Sequence, residues 1–263
     1  MLKKLLAIFI LFLMFFTTGC GKKQEPQKVV DALQTIHSRD ELIVGVRDDT
    51  KPFGYRDKEG KLVGFDIDLA KMLAQRILGD AEKVRFVVVS ASDRISKLNS
   101  KEVDILVATM TITQQRLRVI DFSESYYIAG QAVMVRKKSP YTSFNELSNK
   151  QIIVVYGTTG EKSLRNIYPT AKIIGCKTYS EAFAMLKKGE ADAIVADDTV
   201  LLGYAIDDNS VRLLSKRYSR EPYAVAFRQG DETHSLQIEV NEYINYLLST
   251  GKLKKLAEKY NLK

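Results

Sequence analysis

The sequence has 263 residues, 40 Lys and Arg against 32 Asp and Glu for a formal charge of +8, and a hydrophobic fraction of 45%. That apolar share excludes a disordered polyelectrolyte, and the length suffices for one large core or two small ones. The basic residues are scattered, without a basic run or interleaved aromatics, which argues against a nucleic-acid partner, and two cysteines cannot make a disulfide framework.

The chain begins with Met1, Lys3 and Lys4, then an unbroken apolar run from Leu5 to Phe16. Such a run suits the core of an export signal and is short for a membrane span. Thr17-Thr18-Gly19-Cys20 follows and resembles a bacterial lipoprotein signal, although Thr17 stands where that motif usually has Leu. The resemblance implies a signal peptide over residues 1–19, lipidation of Cys20 and an extracytoplasmic chain anchored to the cell membrane. Residues 20–28 then form a tether of polar character with one Pro. Loss of Lys3 and Lys4 with the signal lowers the charge from +8 to +6. Cys176 then has no intramolecular partner, so the fold must be held by its core.

Beyond the tether, strand-like and helix-like segments alternate at short intervals, which predicts an α/β architecture with parallel strands. Strands are expected at Leu42 to Val46, Val84 to Val89 and Val103 to Val107. Phe65, Ile67, Leu69, Met72, Leu73 and Ile77 have helical spacing between the first two, and Ser92 is placed to cap a short helix carrying Ile95 and Leu98. A second run of the same grammar follows Lys137-Lys138-Ser139-Pro140. It has strands at Ile152 to Val155, Ala171 to Ile174 and Ala191 to Val195, and helices at Glu161 to Ile167, Ser180 to Lys188 and Asp198 to Ile206. Helices at Leu236 to Leu248 and Lys252 to Tyr260 close the chain.

Two tandem units suggest two lobes. The extended stretches Ser125 to Val135 and Arg220 to Phe227 are placed to carry the chain across and back, making a two-strand hinge. On pattern alone they also fit ordinary core strands of one domain. The two-lobe division assigns 29–125 with 224–263 to lobe 1, 126–130 with 219–223 to the hinge and 131–218 to lobe 2.

Three stretches carry a family resemblance: "ELIVGVRDDTKPFGYRDKEGKLVGFDIDLAKMLA", "VDILVATMTITQQRLRVIDFSESYY" and "ADAIVADDTVLLGY". They resemble the extracytoplasmic solute-binding proteins (family 3) of polar amino acid ABC transporters, from about residue 30 to the C-terminus and in order. The branch that binds aspartate and glutamate is the nearest by this reading. The resemblance implies a periplasmic-binding-protein-like (type II) fold, with a ligand cleft between two α/β lobes. It also implies a monomer that hands an amino acid to ABC permease subunits, with no enzymatic activity and no cofactor.

A free amino acid presents a carboxylate and an ammonium, and each needs a complement once removed from water. The resemblance places Thr109, Thr111 and Arg116 around the α-carboxylate; the guanidinium can grip it with two parallel bonds, and the backbone amide near Thr109 can add a donor. It places Asp197 on the α-ammonium, although the adjacent Asp198 is an alternative as ligand or helix cap. Thr158 and Thr159 match positions that contact the ligand from the second lobe, and they also suit capping of the helix that follows. Arg47 and Arg94 match basic positions that reach a distal carboxylate, whereas glutamine binders tend to place an aspartate at the Arg47 position. Asp48, Asp49 and Asp93 are close enough in sequence to neutralise both arginines instead. Tyr179 matches a further ligand contact or is a buried helix-start tyrosine.

His37 and His234 are too isolated for a metal site, and neither a nucleophile elbow nor a phosphate loop occurs. The expectation is therefore a lipid-anchored binder of an acidic L-amino acid that closes over its ligand. Binding of another polar amino acid, such as glutamine or a cationic one, is the alternative within the class. An exported dehydratase-like enzyme on the same fold and a receptor feeding a sensor are the rivals outside it.

Overall fold

The structure is a computed structural model that describes residues 30–167 and 169–262. The export signal, Cys20 and the tether lie outside the described residues. Helix α1 (Ala32–Arg39) starts where the Asp31 carboxylate accepts the Gln34 amide at 2.9 Å, and it stops at Asp40 in the left-handed conformation.

The first lobe is a sheet with helices on both faces. Its strands β1 (Leu42–Val46), β5 (Val84–Val88), β6 (Ile105–Leu106), β7 (Ile120–Ala129) and β13 (Glu221–Arg228) lie in the order β5-β1-β6-β13-β7. β1 is buried along its whole length, which is why "LIVGV" is a continuous apolar run. On one face, Leu42, Val44 and Val46 pack with Phe65, Leu69 and Leu73 of α2 (Phe65–Leu78) and with Leu236, Val240 and Ile244 of α7 (His234–Ser249). On the other, Leu98 of α3 (Arg94–Asn99) packs with Ile43, Val89, Leu106 and Ile120. The last helix, α8 (Lys252–Lys259), adds Leu253 and Leu256 to the first core, so the C-terminal helices belong to this sheet.

A three-stranded hairpin unit, β2 (Asp49–Thr50), β3 (Gly54–Arg56) and β4 (Leu62–Val63), leads into α2. Gly64 makes that entry possible: its φ is +129°, and a Cβ there would lie 2.1 Å from the Phe53 carbonyl oxygen.

The second lobe has the order β10-β9-β11-β8-β12, from β8 (Gln131–Arg136), β9 (Gln151–Val155), β10 (Lys172–Cys176), β11 (Ala193–Asp197) and β12 (Val211–Leu213). Its helices are α4 (Thr159–Ile167), α5 (Tyr179–Lys188) and α6 (Asp198–Ala205). Ile153, Val155, Ala182 and Leu186 fill one face, and Val133, Ile152, Val154 and Leu164 fill the other.

The chain passes between sheets at Gly130, between β7 and β8, and returns before β13. The two crossings lie side by side, with Glu221 opposite Ala129 and Tyr223 opposite Tyr127. These crossings correct the expectation of parallel strands. β1, β5 and β6 are parallel, as are β9, β10 and β11, but β13 and β8 run antiparallel to their neighbours. Each of these two strands arrives from the other lobe instead of through a helical crossover. Strand β6 is paired over two residues only, and α3 is preceded by Asp93, not Ser92: Asp93 and Ser90 exchange hydrogen bonds through their side chains.

Phe53 is fully buried, with its ring centroid 5.5 Å from Phe65, 5.2 Å from Tyr127 and 5.3 Å from Tyr223, so it fastens the hairpin unit to the crossing strands. Phe53→Ala is expected to lower stability by about 3–5 kcal/mol in chemical denaturation while leaving the helix content intact. A loss under about 1 kcal/mol would contradict this role for the cluster.

Candidate functional site

The C-terminal end of β1, the start of α3 and the turn after β6 meet at one edge of the first sheet, where open α/β sheets collect ligands. Each contributes a buried arginine. Arg47, Arg94 and Arg116 are 2%, 4% and 4% exposed. Arg47 donates to Asp49 Oδ1 from Nε at 3.0 Å and from Nη2 at 2.5 Å. Arg94 donates to the Ala108 carbonyl at 2.6 Å. Arg116 opens a short 3-10 turn, Arg116–Arg118, and donates to the Thr111 carbonyl at 2.7 Å. Arg118 is exposed.

Among the described residues, Arg47 Nη1 and Arg94 Nε are buried without a hydrogen-bond partner. Burial lowers the Arg94 pKa to about 9, with Arg116 and then Arg47 adding repulsion. Arg116 is also lowered by burial, against which Asp197 acts favourably. The two groups thus sense each other through a medium of low polarity, where like charges interact strongly.

The second lobe brings Asp197 from the end of β11. It is buried and accepts the Tyr223 hydroxyl at 2.5 Å. Burial, reinforced by Glu221, pushes its pKa up to about 7, while the Tyr223 bond and Arg116 pull it down. Asp198 has a different job. It accepts the Gly130 amide at 3.1 Å and pairs with Arg217, so it tethers α6 to the crossing point.

Thr158 is buried; its hydroxyl donates to the Val155 carbonyl at 2.7 Å and accepts the Glu161 amide at 3.2 Å, which is a cap on α4, and Thr159 is the first residue of that helix. Tyr179 is buried at the start of α5, with the Arg47 guanidinium 6.0 Å from its ring centre. Thr111 is buried, and Thr109 lies beside it at a φ of +47°. The Thr109 amide donates to Asp66 Oδ2 at 2.8 Å, so the amide of Thr109 itself is committed to the protein.

Sequence reasoning missed two groups here. Asp66, fully buried, holds the Thr109 turn from below and accepts the Tyr126 hydroxyl at 2.9 Å; burial raises its pKa to about 7. An acid inside the apolar stretch "GFDIDLA" was the available signal. Tyr223 sits on a crossing strand and joins the two lobes through Asp197, a link that only the fold reveals.

The lobes touch around this site. Arg116 Nη2 donates to the Gly157 carbonyl at 3.2 Å, Lys162 reaches Gln115 at 2.6 Å, and Lys51 pairs with Asp207 at 2.5 Å. Gly157 has a φ of +78°, and a Cβ there would fall 2.6 Å from the Ala91 carbonyl oxygen, so glycine lets the edges meet. The chemical content is a buried, cation-rich cluster with one carboxylate from the opposite lobe.

Residues 42–263 match the family described as bacterial extracellular solute-binding proteins, family 3. The chain is 34% identical over 264 residues to the ABC transporter glutamine-binding protein GlnH of Bacillus subtilis (strain 168), covering 97% of this chain and 95% of that protein. It is 38% identical over 207 residues to a glutamine-binding protein of Geobacillus stearothermophilus, covering 78% and 79%. Among solved structures, an ancestral arginine-binding protein bound to glutamine superposes with a TM-score of 0.79 at 37% identity, covering 84% of this chain and 98% of that one. The expectation that the aspartate/glutamate branch is nearest is corrected by these relatives, two of which are named for glutamine. The sequence cue behind it was the pair Arg47 and Arg94, and basic residues at two positions do not define a branch. The two-lobed α/β fold is of the periplasmic-binding-protein type II, and the chain belongs to family 3 of the bacterial extracellular solute-binding proteins.

Proposed function

We propose that this chain is the amino-acid-binding component of an ABC importer and that its ligand is an acidic L-amino acid, glutamate or aspartate. The observation that carries the ligand is Arg94. It is buried, its Nε has no partner, and among the described residues no carboxylate stands within ion-pair distance of it. A guanidinium enclosed without an anion is costly, and a ligand that supplies the anion recovers that cost on binding. In this reading Arg116 and Thr111 take the α-carboxylate and Asp197 takes the ammonium. Arg94 and the remaining donor of Arg47 take the distal carboxylate. Thr158, Thr159 and Tyr179 complete the enclosure from the second lobe.

Glutamine is the second reading, favoured by a specific contact. Asp49 already neutralises Arg47, so the pair presents one remaining donor without net positive charge, which suits the oxygen of a carboxamide. The glutamine-binding relatives support the same reading.

The reading is of binding without turnover. Asp48 and Asp49 are paired with Arg56 and Arg47, and Asp93 accepts the Ser90 amide, so each of these three carboxylates already serves a cation or an amide. The ligand bridges two lobes, and its free energy favours the closed form that a permease can distinguish from the empty one. Lipidation at Cys20 would hold the receptor at the membrane where that permease sits.

Arg116→Ala is expected to raise the Kd for every amino acid at least a hundredfold in calorimetric titration. Arg94→Ala is expected to weaken glutamate and aspartate by about 10- to 100-fold and glutamine by only a few-fold. Equal losses for glutamate and glutamine would contradict the distal role of Arg94.

A pH dependence follows from Asp66 and Asp197, each raised from 3.8 to about 7. Between those values the native chain binds more protons than the unfolded one, so ligand-free stability should fall as pH rises from about 4 to about 7. Thermal unfolding at intervals across that range should show a falling Tm, flattened in Asp66→Asn and in Asp197→Asn. Ligand binding should run the opposite way, because the ammonium needs ionised Asp197: the Kd should improve as pH rises toward 7. A Kd independent of pH in this range would contradict the assignment of Asp197.

A further inference from the structure

We propose that Asp49 is a positioning residue that couples Arg47 to lobe closure and sets the preference between a carboxylate and a carboxamide on the ligand. The inference rests on the proposed function and adds to it a determinant of selectivity that the ligand itself need not touch.

Asp49 divides its contacts between the lobes. Within lobe 1, Oδ1 accepts from Arg47 Nε at 3.0 Å and Nη2 at 2.5 Å. Toward lobe 2, Oδ2 accepts the backbone amide of Tyr179 at 3.0 Å, and the Asp49 carbonyl accepts the Tyr204 hydroxyl at 3.0 Å. Tyr179 is the first residue of α5, where amides without an intrahelical acceptor and the positive end of the helix favour a carboxylate. Thr178 already caps α5 by accepting the Glu181 amide at 3.1 Å. The Tyr179 amide is therefore left for a partner from outside the lobe, and Asp49 supplies it. Separation of the lobes would break the Tyr179 and Tyr204 bonds together and leave the Arg47 pair intact.

The same carboxylate controls how much charge Arg47 shows to the cleft. With two donors on Asp49, Arg47 keeps Nη1 as its buried donor without a partner. A negative charge held against that guanidinium weakens its attraction for a ligand carboxylate and leaves a carboxamide oxygen well served. Removing the charge should strengthen the discrimination in favour of acids, while loss of the Tyr179 bond should weaken binding of every ligand. The two effects separate, since one appears in the ratio of affinities and the other in their common level.

The test is calorimetric titration of wild type, Asp49→Asn, Asp49→Ser and Asp49→Glu with glutamate and with glutamine. Asn and Ser remove the charge in two shapes, so a folding defect in one leaves the other as the measurement, and Glu retains the charge. The expected result is that both neutral variants bind each ligand more weakly while the ratio of glutamine Kd to glutamate Kd rises at least tenfold. Asp49→Glu should keep the ratio within threefold of wild type. A rise under tenfold in the neutral variants, or a shift toward glutamine, overturns the inference while leaving the proposed function standing. Failure of the wild type to bind either ligand overturns the proposed function and this inference with it.

Discussion

Mutual repulsion among Arg47, Arg94 and Arg116 is the constraint on which the cleft depends. All three are buried at one sheet edge, and Arg94 has both of the others among the groups that lower its pKa. A fold tolerates such a cluster only when its scaffold is stiff and anions are near. Here the scaffold is β1 with α2 and α7 behind it, and α3 and the Arg116 turn beside it. Carbonyl oxygens of Ala108, Thr111 and Gly157 take up some of the guanidinium donors. Carbonyls satisfy hydrogen bonds without cancelling charge, so the cluster stays attractive to an anion.

The second lobe answers that charge at a distance set by the crossing strands. Asp197 belongs to β11, yet its hydrogen-bond partner Tyr223 belongs to β13 in the first sheet. Asp198 next to it holds Gly130 at the crossing and pairs with Arg217. One acid of the pair thus binds a tyrosine of the first sheet and its neighbour secures the connection between the lobes. In the proposed reading, closure brings like and unlike charges together, so the conformational step and the recognition step share residues.

Much of this was legible in the sequence because the signals are local. The apolar run of β1 and the helical spacing of α2 each follow from period, and the threonines preceding Arg116 were marked by the family resemblance. The placement of Asp197 at a strand's end and of Asp198 at a helix start was also open to reading, since the strand and the helix each carry their own pattern. The antiparallel setting of β8 and β13 was not legible: it follows from where the chain crosses, and no periodicity records that. Asp66 and Tyr223 were missed for the same reason, as their partners lie 43 and 26 residues away in Thr109 and Asp197. Asp49 was visible only as a neutraliser of Arg47; its bond to the start of α5 spans 130 residues.

The central claim is that the excess of buried guanidinium selects a ligand with two carboxylates. Side-by-side calorimetric titration of the soluble wild-type chain with glutamate, aspartate and glutamine at neutral pH tests it most directly. The account predicts that glutamate or aspartate binds at least tenfold more tightly than glutamine. Glutamine binding as tightly as both acids, or more so, would contradict it.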